Sequence, residues 1–153
     1  MKNECGNKHQ RIQVNRPVHV VFAVPMRRWM LVDDNAELLM MLSAFAENFT
    51  NSKVECHDSP ESALAAFEAA PERYDLVITD YQMPGMDGVE LCRRLQAITP
   101  GQKVFLATGS GYFSETAAGH HGFSALLNKP YSLAVLKQKL TAAGLLEESV
   151  CAD

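Results

Sequence analysis

A chain of 153 residues, 47% hydrophobic and 21% charged, is long enough for one domain with a buried core and too apolar for a disordered one. Its net charge of −4 offers no general surface for nucleic acid, and its basic residues Lys2, Lys8, Arg11, Arg16, Arg27 and Arg28 gather at the start, leaving the remainder strongly acidic. No apolar run reaches the roughly 18 residues of a membrane span, and Cys5, Cys56, Cys92 and Cys151 lie too far apart for a metal-binding pair, which favours reduced thiols in a cytoplasmic protein.

In chain order, residues 1–25 fit the rest poorly. Val18 to Val24 is apolar apart from His19, yet no small-residue cleavage site follows as a signal peptide would require, and Pro25 intervenes. An extra strand is one reading of this run. The preferred one is a loosely attached extension over 1–25, a compact domain over 26–144 and a frayed tail over 145–153.

Trp29 to Val32 reads as the first strand. Leu38, Met41, Leu42, Phe45 and Phe49 recur at helical spacing and predict a helix over 35–48, with Asp34 or Asn35 at its cap. A second strand is expected over 53–57. Ser59-Pro60-Glu61 starts a helix whose buried face is Ala63, Leu64, Phe67 and Ala70. Leu76 to Thr79 is a β-branched apolar run suited to a strand buried on both faces, and it ends abruptly on Asp80. Pro84, Gly85 and Gly88 break regular structure before a helix over 88–98 that buries Leu91, Leu95 and Ile98.

A fourth strand is expected over 104–107, then one or two helical turns within 113–119, and a fifth strand over 125–127 ending at Asn128-Lys129-Pro130. Ser132 caps a last helix with Leu133, Leu136 and Leu140 inside. Strands alternating with helices of this length predict a doubly wound five-stranded parallel sheet of (βα)5 type, an α/β fold.

In such a sheet every strand's carboxyl end lies on one edge, where ligands bind. That edge collects Asp33, Asp34, Asp80, Thr108 and Lys129. Three gathered carboxylates repel unless a cation joins them. With only oxygen donors and no His or Cys nearby, Mg²⁺ (or Mn²⁺) is favoured, and phosphate oxygens normally complete such a site. A carboxylate nucleophile, a metal, a lysine and a hydroxyl together suit phosphoryl transfer to an aspartate. Each residue alone has a plainer reading: Asp33-Asp34 as a turn or cap, Lys129 as a solvated lysine, Thr108 as loop chemistry.

The motifs LVDDN (31–35), LVITDYQMPGMDG (76–88), FLATG (105–109) and NKP (128–130), in this order and spacing, resemble the receiver domain of two-component response regulators. The resemblance runs from about Met26 to Gly144. It implies a flavodoxin-like sheet of order 2-1-3-4-5. Asp80 would accept a phosphoryl group from a histidine kinase or a histidine phosphotransfer protein. Asp34, Asp80 and the backbone carbonyl of Gln82 would ligate Mg²⁺ directly, and Asp33 would act through a bound water. Thr108 and Lys129 would hold the phosphoryl oxygens, and a downstream protein would read the change, with no direct nucleic-acid or membrane contact. The family's usual aromatic three residues before the lysine is Leu126 here. Tyr131 is expected to pack or to face a partner, Tyr81 to lie at the surface, Cys92 to be buried, and His120-His121 to form a solvated loop.

With no output module after Gly144, a stand-alone receiver is expected, not an enzyme acting on external substrates. Two other classes are weighed. A haloacid-dehalogenase-like phosphatase would need an acid two residues past the nucleophile, where Gln82 stands. A phosphorylation-independent interaction module would be compatible with Leu126. A receiver cut from a longer hybrid kinase is a further possibility.

Overall fold

The structure is a computed structural model and describes residues 26–109, 111 and 113–147. The readings of Val18 to Val24 and of residues 1–25 therefore lie outside the described residues, as does the tail from residue 148.

Five parallel strands, β1 (Arg27–Val32), β2 (Ser52–His57), β3 (Leu76–Asp80), β4 (Val104–Gly109) and β5 (Ala125–Lys129), form one sheet in the order β2-β1-β3-β4-β5. Helices α1 (Ala36–Phe49), α2 (Pro60–Ala69), α3 (Gly88–Ile98), α4 (Glu115–His120) and α5 (Leu133–Ala142) connect them. This is the doubly wound α/β fold expected from the alternation. A three-residue 3₁₀ turn, Pro71–Arg73, precedes β3.

The central strands bury both faces, which is why they read as continuous apolar runs. Met30, Val32, Val77, Val104, Leu106 and Leu126 point to one side and join Phe67, Leu91, Cys92 and Leu95. Trp29, Leu31, Leu76, Ile78, Phe105 and Leu127 point to the other and join Leu42, Phe45, Leu136 and Leu140. Caps fall where short polar side chains precede each helix: Asn35 on α1, Ser59 on α2, Asp87 on α3, Ser114 on α4 and Ser132 on α5 each accept from first-turn N–H groups.

Several expected faces are corrected. The buried stripe of α1 is Leu39, Leu42, Phe45 and Ala46, while Met41 and Phe49 are exposed. The run of five apolar residues from Leu38 to Leu42 leaves the helical phase open, and the sheet selects Leu39 over Met41. Ile98 and Leu133 are exposed because they sit at helix ends, beyond the sheet's cover. Ala70 is half-buried and caps α2. Leu145, beyond the expected limit at Gly144, is 3% exposed and belongs to the core.

Candidate functional site

The sheet order reverses direction between β1 and β3, and the crevice at their carboxyl ends is where the acids meet. Asp33 follows β1 directly. Its backbone N–H donates to the His57 carbonyl at 3.1 Å, and its Oδ1 accepts the Asn35 N–H at 2.8 Å. The same turn sets Asn35 as cap of α1 and leaves Asp34 exposed. Asp80 is the last residue of β3, paired in register with Ala107. One carboxylate oxygen each from Asp33, Asp34 and Asp80 lies within 4.8 Å of the others.

Lys129, the last residue of β5, spans the acids. Its Nζ donates to Asp33 Oδ2 at 2.9 Å and to Asp80 Oδ1 at 3.0 Å. Asp33 and Asp80 are only 5% and 9% exposed. Burial pushes the Asp80 carboxyl above its ordinary range; the Lys129 hydrogen bond and charge pull it back, and the neighbouring Asp33 charge adds to the push. For Lys129, burial works against the charged form, but hydrogen bonds and charge from Asp33 and Asp80 outweigh it and hold the ammonium above its usual value. The cluster therefore has a cation in place but more negative charge than one lysine balances.

The turn after β3 depends on glycine. The Gly88 N–H donates to the Tyr81 carbonyl at 3.0 Å, and a Cβ on Gly88 would sit 2.4 Å from the Asp80 carbonyl oxygen. Only a bare Cα lets α3 begin this close to β3. Gly85, in the same loop, has φ +84°.

Asp33, Asp34, Asp80 and Lys129 are thus brought together as the sequence suggested. Thr108 lies on the same edge, one residue beyond the Ala107–Asp80 pair, and is 1% exposed; its hydroxyl donates to the Gly109 carbonyl at 3.3 Å rather than to an acid. Gln82 is exposed in the loop that follows β3. Leu126 is 2% exposed and packs on the α3 side of the sheet. Cys92 is buried, as expected. Tyr81 is half-buried rather than at the surface, with its ring edge-on to Phe113 at 5.0 Å. His120 ends α4 and His121 caps it, both exposed.

One site residue was undervalued in the sequence. Tyr131, after the cis Lys129–Pro130 bond, shares a small cavity with Asp33 and Asp80. Its adjacency to the Lys-Pro pair was the available signal.

A sequence profile of the response regulator receiver domain matches residues 30–141. The chain belongs to the response regulator receiver domain family. Among its relatives, the virulence sensor protein BvgS of Bordetella pertussis is 32% identical over 145 residues, covering 86% of this chain and 12% of the relative. A response regulator receiver protein of Anaeromyxobacter sp. is 33% identical over 115 residues, covering 71% of this chain and 44% of the relative. The chain thus spans less than half the length of either. Among solved structures, a response regulator receiver domain protein from Clostridium thermocellum superposes with a TM-score of 0.71 at 26% identity, covering 77% of this chain and 94% of that one. No helix among the described residues is long and apolar enough to cross a membrane.

Proposed function

We propose that this chain is the phosphoacceptor receiver of a two-component or phosphorelay system, with Asp80 as the residue modified. The observation that carries the reading is the Lys129 ammonium bridging Asp33 and Asp80 beside Asp34, on the edge where the sheet order reverses. The donor set suits a hard divalent cation, being all oxygen, anionic and closely spaced. Asp34, Asp80 and the Gln82 backbone carbonyl would hold Mg²⁺ directly, with Asp33 behind a water. When bound, the ion neutralises charge on the phosphoryl oxygens.

The chain's own residues do the rest. An Asp80 carboxylate oxygen attacks phosphorus, the nitrogen–phosphorus bond of a phosphohistidine donor breaks, and its electron pair returns to the imidazole. Lys129 exchanges a carboxylate partner for a phosphoryl oxygen. The Thr108 hydroxyl, which among the described residues makes a long bond to its neighbour's carbonyl, turns to a second. The new charge and acceptor oxygens then draw the loop behind β4 toward Asp80. The donor is a histidine kinase or a histidine phosphotransfer protein in the cytoplasm, and the output is a change in affinity for a protein partner. Turnover of external phosphate esters is not part of this role.

The direct test is intact mass after incubation with Mg²⁺ and acetyl phosphate. Wild type is expected to gain one phosphoryl group, Asp80→Ala none, and chelation of Mg²⁺ to abolish the gain. If wild type gains nothing while still binding Mg²⁺, the phosphoacceptor reading fails and a phosphorylation-independent interaction module takes its place.

A further inference from the structure

Tyr131 has a hydroxyl that nothing in the phosphoacceptor scheme uses. Its ring packs against the core between the sheet and α1. Its phenolic oxygen is buried and has no hydrogen-bond partner among the described residues. Burial pushes the phenol up to about 12, so it stays an O–H at working pH. A buried hydroxyl without a partner has given up its hydration for nothing in return, a cost that a phenylalanine would avoid. Such a group calls for a ligand.

The place for one is beside it. Tyr131 lines a cavity with Asp33, Asp80, Leu31, Leu39 and Ile78 that leaves about 10 Å³ for the centre of a water molecule. That is close to the least room one water needs, and a buried water also needs at least two polar partners. Tyr131, Asp33 and Asp80 are the lining residues that carry polar side chains. Asp80 Oδ1 already accepts from Lys129, and the Tyr81 backbone N–H also favours the charged carboxylate. A further bond from the cavity side would hold its plane more tightly, and small errors in the aim of a reacting group are costly.

We propose that Tyr131 is a positioning residue for phosphoryl transfer: its buried hydroxyl holds one ordered water against the carboxylates of Asp33 and Asp80, and so sets the direction in which Asp80 presents its attacking oxygen. The proposal rests on the reading of Asp80 as the phosphoacceptor.

The experiment compares the full chain with Tyr131→Phe, which keeps the ring and removes only the hydroxyl. Each is loaded with acetyl phosphate over a range of concentrations in Mg²⁺ and followed by intact mass. The hydroxyl acts on Asp80 and not on the donor. The maximal loading rate is therefore expected to fall about threefold to tenfold, the weight of one hydrogen bond, while the donor concentration giving half that rate is unchanged. A side chain that merely packs would leave both unchanged, and that result would overturn the proposal. Should the variant not fold, a crystal structure of wild type at a resolution that shows ordered water decides. A water bonded to Tyr131 Oη and to a carboxylate of Asp33 or Asp80 upholds it, and a dry cavity overturns it. If wild type itself takes no phosphoryl group, the reading of Asp80 falls and this inference falls with it.

Discussion

At Asp80 the protein holds a carboxylate above its ordinary pKa, chiefly by burial, with one lysine shared between it and Asp33. The sign of its effect on stability follows. A folded-state pKa raised above the unfolded value, ~3.9 for Asp, gives a contribution fully present below that value and lost as pH rises through the folded one. Near neutral pH the ionised Asp80 therefore weakens the fold. Asp80→Asn leaves Lys129 paired with Asp33 and is expected to stabilise the metal-free protein by about 1–2 kcal/mol at pH 7. The gain should shrink toward zero below about pH 4, where Asp80 is protonated in both states. Lys129→Met does the reverse, leaving two buried carboxylates without their cation, and is expected to cost on the order of 2–3 kcal/mol at pH 7. Urea unfolding in the presence of a chelator, at both pH values, checks the pair; an Asp80→Asn variant less stable than wild type at pH 7 contradicts the argument. The acids and the lysine were legible in the sequence because each stands at or just past the end of an apolar run, where a buried strand gives way to polar residues. Tyr131 was not, because its part depends on the cavity it shares with residues about 50 and 100 positions away in the chain, and no local pattern announces that.

Among the elements, the β3–α3 connection carries the tightest constraint. Gly88→Ala would place a methyl 2.4 Å from the Asp80 carbonyl oxygen and 3.1 Å from Leu106 Cδ1, in a loop whose closing bond runs from Gly88 N to Tyr81 O. The strand end or the helix start has to move. The expected cost is about 1–3 kcal/mol, with slower phosphoryl loading because Asp80 moves with its own carbonyl. Gly101→Ala is the comparison: φ is +84° but nothing lies within 4 Å, so backbone strain of about 1 kcal/mol is expected and no change in loading. Equal loading rates in the two variants would count against a shape-critical Gly88. Strand and helix order were readable because the buried strands are short, β-branched and separated by capped helices. Their ends were less so. β4 and β5 continue to Gly109 and Lys129, past the last apolar residue, because the backbone ladder still pairs Gly109 with Lys129. The apolar face of α1 was misphased for a related reason, since Leu38 to Leu42 contains no polar residue to mark which side meets solvent.

At the scale of the molecule, the sheet separates two cores, and the acid site sits at the end of the strands they share. The strands that present Asp33 and Asp80 each bury alternate residues in both cores, so neither core can loosen without disturbing the site. Cys92 offers a probe of this coupling. It lies at 0% exposure among Phe67, Leu91 and Leu95, and burial pushes its thiol up to about 12. Thiolate is the reactive form, so near pH 8 Cys92 is both inaccessible and protonated. Cys56 is exposed on β2, although partial burial raises its thiol as well. Alkylation followed by peptide mapping is expected to label Cys56 promptly and Cys92 only at the rate of global opening. The Cys92 rate should then fall in Asp80→Asn and rise in Lys129→Met, by the factors their stability changes dictate, although neither residue touches it. If Cys92 labelling ignores those substitutions, its core opens independently of the site, and the two faces of the sheet do not unfold as one.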